Sequence, residues 1–206
     1  VADHPGPPRE ALARAVDQVF ADPASGETDA LLLFNAGRLV VERYRPGFAA
    51  DSRVPGGAMS TCVTGALIGL LVADGRLRLD QGVPVPAWQR PGDPRGEITL
   101  RHLLQMRSGL RHDEQADLRR MLFLDARDDV AAYAEAQPLE AEPGRRWAWS
   151  SAGAMVLSDL AARALTDSTL PEVRRRMVAD YLHTRLLDPL GMRAAVAEFD
   201  AAGTML

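Results

Sequence analysis

Few side chains in this sequence could do covalent chemistry. Ser60 and Cys62 are candidate nucleophiles, and His102 and His112 are candidate bases. A serine or thiol near neutral pH needs an adjacent base, and neither has a histidine nearby in sequence. Nucleophilic hydrolysis by these residues would depend on the fold bringing a histidine to them. The plainer reading makes Ser60 a hydroxyl at a helix start and Cys62 a small hydrophobe packed in an apolar stretch. His102, followed by two leucines, reads as a structural hydrogen-bonding group. His112-Asp113-Glu114 are three adjacent residues that cannot converge on one ion, so they read as a solvated loop. The four histidines, His4, His102, His112 and His183, show no metal-ligand spacing. There is no Gly-rich phosphate loop, so neither metal nor cofactor is expected.

The basic residues narrow the chemistry further. All 24 are arginine, which removes Schiff-base, P-loop and general-base lysines. With 28 acidic residues and a net charge of −4, nothing favours nucleic acid as a partner. Arg174-Arg175-Arg176 reads as a solvated helix face rather than a phosphate site. The single cysteine excludes a disulfide within the chain. At 206 residues, 47% hydrophobic and 25% charged, the chain is ordinary for one globular domain or one and a half. The longest apolar-rich run, 66–73, is broken by Gly69 and falls short of the roughly 20 residues that span a bilayer. No membrane span is expected. The start at Val1 shows no signal-peptide pattern, and residues 200–206 carry no helix cap or polar tail. The N-terminus is expected to be processed or incomplete and the C-terminus incomplete, and the compartment stays open.

Elements must position these groups. Residues 1–8 are Pro-rich and expected to be extended. Leu12, Val16, Val19 and Phe20 share one face of a helix over 9–20, which Asp22-Pro23 ends. Residues 30–34 and 39–44 are apolar, β-rich runs around Asn35-Ala36-Gly37-Arg38 and read as an antiparallel hairpin. Residues 46–57 read as loop. Residues 59–74 are apolar nearly all round and predict a helix buried on every side, with Gly75 as its C′ residue. Residues 82–96 read as a Pro-rich loop carrying Trp88. Thr99 should cap a short helix over 100–106 that Gly109 ends. Further helices are expected over 127–136, after a cap at Ser150 or Ser151, and over 171–187 with Pro171 in the first turn. The helix after Ser150 should turn Ala154, Leu157, Leu160, Ala161 and Ala164 inward. Two strands alone are marginal in water, so the hairpin needs strands that the chain beyond Met192 barely begins to supply.

Several stretches together resemble the serine hydrolases related to β-lactamases and penicillin-binding proteins, especially the esterase and amide-hydrolase branch. They are Glu42-Arg43-Tyr44-Arg45-Pro46-Gly47, Val63-Thr64-Gly65-Ala66-Leu67-Ile68-Gly69, Ile98-Thr99-Leu100-Arg101-His102-Leu103-Leu104, Ser108-Gly109-Leu110, Pro143-Gly144, Asp188-Pro189-Leu190-Gly191-Met192 and Asp200-Ala201-Ala202-Gly203-Thr204. They run in family order across nearly the whole chain. The resemblance implies an α/β (α+β) fold: an antiparallel sheet domain, here with only its first hairpin, plus an all-helical domain, the later strands missing. It implies residues 1–57 in the sheet domain, 58–195 in the helical domain, and 196–206 at the start of the return.

The family's chemistry uses Ser-x-x-Lys at the start of the buried helix and Tyr-x-Asn or Tyr-x-Ser before a later one. The resemblance puts Ala58 at the serine, Thr61 at the lysine and Trp149 at the tyrosine, with Ser151 keeping the third place of the second motif. Alanine has no nucleophile, a threonine hydroxyl is no base near neutral pH, and an indole N–H only donates. Independently of any alignment, a chain without lysine contains no Ser-x-x-Lys in any register. The leading expectation is a catalytically degenerate member with a binding or scaffolding role. Its ligand would be a small ester, amide or peptide-like molecule. Ser60 and Ser151 are possible pocket residues. Trp149 is read as cleft filler or as a stacking wall, and Trp147 as core packing. Two alternatives stay open: an active hydrolase using Ser60 or Cys62 with a histidine, and a fragment whose sheet is completed by a missing segment or a partner chain.

Overall fold

The computed structural model describes residues 8–206; the segment expected to be extended, 1–8, and His4 lie almost wholly outside them. Two compact units emerge, Val1–Val54 and Pro55–Leu206.

In the first unit, helix α1 (Arg9–Ala21) precedes strands β1 (Ala30–Asn35) and β2 (Arg38–Tyr44). The strands pair antiparallel from Ala30 opposite Tyr44 to Asn35 opposite Arg38, with a bulge at Leu33/Phe34. Both turn residues, Ala36 and Gly37, have positive φ, which matches the twist of a two-residue hairpin turn. Asp22 stops α1 and caps the next turn by accepting from the Ala24 N–H at 2.9 Å. Arg43 pairs with Asp17 and lies 4.4 Å over the Phe20 ring, tying β2 to α1. Among the described residues this is the only sheet. Leu32, Phe34 and Val40 are 47%, 61% and 48% exposed, so apolar side chains stand open along both strands.

The second unit is helical: α2 (Ser60–Ala73), α3 (Leu100–Leu104), α4 (Glu114–Phe123), α5 (Val130–Glu135), α6 (Ser151–Leu165) and α7 (Pro171–Leu182), the last continued by a π turn over His183–Leu187. Helix α6 is the hub and packs against α2, α3, α4, α5 and α7. All but three of its residues are buried. Ser150 caps it by accepting from the Gly153 N–H at 2.9 Å. Helix α2 ends as expected, with Arg76 donating to the Leu71 carbonyl behind Gly75. None of these helices is long and apolar enough to cross a membrane.

Several expectations need correction. Helix α2 is not buried all round. Thr64, Leu67, Ile68 and Leu71 form its buried stripe, while Cys62, Ala66, Gly69 and Ala73 on the other side are exposed. The run lacks a polar face, so composition could not distinguish one packed face from burial on every side. Cys62 is an exposed thiol, not core packing. The helix expected over 127–136 is confined to α5, because Asp129 caps it by accepting from the Ala132 N–H at 2.9 Å. The loop around Trp88 holds two short 3-10 turns, and Trp88 is fully buried, its indole N–H donating to the Glu135 carbonyl at 2.8 Å. Helix α4 was unanticipated. Asp113 caps it, accepting from the Ala116 N–H at 3.2 Å.

Where α5, α6 and α7 meet, a buried charged cluster replaces apolar packing. Glu135 and Asp159 are 8% and 4% exposed. Arg163 bridges them, 2.9 Å from Glu135 and 2.5 Å from Asp159, and Arg174 also pairs with Asp159. Burial pushes the Glu135 carboxyl up to about 7, against the pull of Arg163, and neighbouring Asp159 adds to the rise. The expected solvated Arg174-Arg175-Arg176 face is therefore only partly solvated. Arg174 is drawn inward to Asp159, and Arg175 donates to the Asp200 carbonyl at 2.9 Å.

Candidate functional site

The first motif segment is a 3-10 turn, Gly57–Met59, running directly into α2. Ala58 is exposed and carries only a methyl group. Ser60 Oγ donates to the Gly57 carbonyl at 2.6 Å, and Thr61 Oγ1 donates to the Ala58 carbonyl at 2.7 Å. Both hydroxyl protons are spent on backbone one turn back, the usual habit of such residues at helix starts. No histidine is among their hydrogen-bond partners within the described residues. His102 is occupied elsewhere. Its Nδ1 accepts from the Thr99 N–H at 3.2 Å and its own N–H donates to Thr99 Oγ1 at 3.2 Å, closing a capping box on α3.

The second motif segment enters α6. Backbone pairing places it: Ala148 N–H donates to Met106 at 2.9 Å, Gly144 to Arg107 at 2.8 Å, Glu140 to Gly109 at 2.9 Å, and Arg111 to Pro138 at 2.7 Å. This ladder clamps 106–111 against 138–148 and leads on one side into α4 and on the other into α6. Gly109 has φ +78° there, and its α-carbon lies against the Ala141 carbonyl.

Glu114, the first residue of α4, joins the two helix starts. Its Oε1 accepts from the Trp149 indole at 3.1 Å and from Ser151 Oγ, and its Oε2 accepts from the Ser151 N–H at 3.0 Å. His112 Nε2 stands 3.6 Å from Oε2, buried and without a hydrogen-bond partner. His112-Asp113-Glu114 is thus a helix entry packed against α6, not a solvated loop. The cap that could have been Ser150 or Ser151 is Ser150, which frees Ser151 for Glu114. Trp147 is 61% exposed rather than packed in the core, because Ala148, not its own ring, is anchored to Met106.

The structure therefore unites Trp149 and Ser151 through Glu114, while among the described residues the side chains of Ser60 and Thr61 bond only to Gly57 and Ala58. Glu114 is the residue sequence reasoning missed. The signal was present as Asp113 followed by Leu118, Met121 and Leu122 at helical spacing, which marks a capped helix with an acid in its first turn. Two cavities lie away from these positions. One of about 360 Å³ borders Phe20, Asp22, Arg43 and Arg45, and one of about 440 Å³ lies beside Arg78, Leu79, Asp80 and Gln81.

A family model described as β-lactamase matches residues 16–204. A search of curated proteins finds no match. Among solved structures, the chain resembles an octameric penicillin-binding protein homologue from Pyrococcus abyssi, with TM-score 0.60 and 20% identity over 96% of this chain and 49% of that one. It also resembles a candidate β-lactamase from Bacteroides dorei DSM 17855, with TM-score 0.59 and 21% identity over 89% and 52%. A third, a candidate 6-aminohexanoate-dimer hydrolase from Bacillus anthracis, gives TM-score 0.56 and 20% identity over 77% and 43%. The chain spans about half the length of these structures.

Proposed function

From the premise that this chain belongs to the β-lactamase family, we propose that it keeps the family's helical scaffold for binding and has given up covalent catalysis. The carrying observation is Ala58 at the nucleophile position in a sequence without a single lysine. Thr61 at the base position and Trp149 at the proton-relay position support the same reading, since neither can take a proton from a nucleophile near neutral pH. The ligand class is a small ester, amide or peptide-like molecule held without a covalent bond. In this reading Trp149 serves as an apolar wall, and Ser60 and Ser151 are the pocket residues assigned with it.

The test uses the full chain with a fluorophosphonate probe, nitrocefin and p-nitrophenyl acetate. The expected outcome is no stoichiometric labelling and no turnover above buffer, with Ser60→Ala indistinguishable from the parent. Turnover that Ser60→Ala abolishes would establish an active serine hydrolase instead.

We also propose that the hairpin of the first unit is completed by further strands, from a following segment or a partner chain. Exposed Leu32, Phe34, Leu39 and Val40 on a two-stranded sheet support this, because such a sheet is marginal in water and an open edge invites pairing. Sedimentation of the 206-residue chain should show self-association that Phe34→Glu reduces. A monodisperse monomer that unfolds in one cooperative step would overturn it.

A further inference from the structure

We propose that Glu114 is a positioning residue, a carboxylate latch that fixes the indole of Trp149 and the first turn of α6 as one unit. This rests on the reading of Trp149 as a wall of a noncovalent binding site, and it names what holds that wall in place.

A helix start leaves its first N–H groups without partners inside the helix. In α6 the Ser150 hydroxyl takes the Gly153 N–H, which leaves the Ser151 N–H to be satisfied from outside. Glu114 satisfies it, and the same carboxylate takes the Ser151 hydroxyl and the Trp149 indole. Three donors from the second motif segment thus converge on one acceptor group 35 to 37 residues away. A carboxylate is the only side chain that offers acceptor sites in this number with no donor to clash. It is also the group that a helix N-terminus favours electrostatically, and Glu114 sits at the start of α4 while bonding the start of α6. Charge-assisted bonds of this kind are shorter and stronger than neutral ones. The side chain is 29% exposed, so the latch borders solvent and can border a ligand.

The latch has two consequences. The indole N–H points into the protein's own carboxylate, so Trp149 meets a ligand through its ring and not through its donor. The Ser151 N–H at the start of α6 is already taken by a negative charge, so that amide is not open to an anionic ligand.

The test follows the indole N–H groups of the 15N-labelled full chain by NMR. The chain has three tryptophans, and Trp149→Phe assigns the third resonance. Trp88 donates to a buried carbonyl and Trp147 is exposed, so they serve as the slow and fast references for solvent exchange. In the parent protein Trp149 should exchange at least tenfold more slowly than Trp147. Glu114→Ala should raise the Trp149 rate to that of Trp147 and leave Trp88 slow. An unchanged Trp149 rate with Trp88 still slow would overturn the latch. If Glu114→Ala speeds Trp88 as well, the fold has been lost and Glu114→Gln decides. Its amide oxygen still accepts from the indole but is a weaker acceptor, so the Trp149 N–H resonance should move upfield with partial protection; an unmoved resonance would overturn the proposal. These readouts are independent of turnover. Hydrolytic activity would defeat the noncovalent reading and leave the latch standing, while an indifferent indole would do the reverse.

Discussion

Gly109→Ala lowers the melting temperature by about 10 °C, the largest single-substitution effect expected in this chain. Gly109 has φ +78°, a region in which an added Cβ costs about 1–2 kcal/mol on its own. The new methyl would also overlap the Ala141 carbonyl oxygen and come 3.0 Å from its carbon. Those atoms are backbone and cannot rotate away. The ladder must open instead, weakening the bonds that Glu140 and Ala141 donate to the Gly109 carbonyl. Overpacking of this kind adds about 1–3 kcal/mol, for a total of about 2–5 kcal/mol. Gly75→Ala is the control. Its φ is +72°, but nothing lies within 4 Å of the added methyl, so it should lose only the conformational part. Thermal melts of the two variants settle the matter; a Gly109→Ala melt no lower than that of Gly75→Ala would mean that this ladder does not close on Ala141. Because the ladder also leads into α4 and α6, Gly109→Ala should disturb the Trp149 indole resonance while Gly75→Ala leaves it alone.

The second large effect is a loss of stability on going from mildly acid to mildly alkaline solution, centred on Glu135. Burial raises its carboxyl from 4.5 to about 7 in the folded chain. Between those values the folded state holds a proton that the unfolded state has released, so stability falls as pH rises. Its contribution is complete below about pH 4.5 and is lost as pH passes about 7, amounting to about 3 kcal/mol. Arg163 sets the limit, since its guanidinium 2.9 Å away favours the ionised form and keeps the rise from being larger. Other carboxylates act outside this window or cancel in comparison. Asp93, held at about 2 by its bonds from Arg95, loses stability only as pH falls toward that value. Asp200, also pushed up by burial, contributes the same slope to parent and variant. Glu135→Gln mimics the protonated acid at every pH and keeps an acceptor for Arg163. Urea unfolding at about pH 5 and about pH 8 should show the parent losing about 3 kcal/mol more than Glu135→Gln across the interval. Equal slopes in the two proteins would show that Glu135 does not hold that proton.

Local physics made much of the molecule legible in advance. The two-residue turn at Ala36-Gly37, a cap at Ser150 or Ser151, the Thr99–His102 start of α3 and the left-handed stop at Gly75 all depend on residues within a few positions of one another. The family and its fold were readable for the same reason, because the motif stretches occur in order along the chain, and the family match over 16–204 agrees. Helix α4 was legible in principle through Asp113 and the spacing of its leucines and Met121.

Burial and long-range pairing were not legible in the same way. Helix α2 is apolar all round, so no periodic signal says which stripe is covered, and only packing on α6 selects Leu67, Ile68 and Leu71. Cys62 and Trp147, hydrophobic by type, are left exposed, the first because it lies on the face of α2 opposite the buried stripe, the second because neighbouring Ala148 is the residue anchored to Met106. Glu135 looks like any surface glutamate until α5, α6 and α7 enclose it with Asp159, Arg163 and Arg174.

The sequence alone determined the residue types at the positions that the family resemblance singles out, since the methyl of Ala58, the hydroxyl of Thr61, the indole of Trp149 and the absence of lysine are properties that no fold can alter. Only the tertiary structure decided what those side chains bond to. The carboxylate of Glu114 reaches Trp149 and Ser151 across more than thirty residues because the ladder at Gly109 folds α4 back onto α6, and a contact at that separation leaves no periodic trace along the chain.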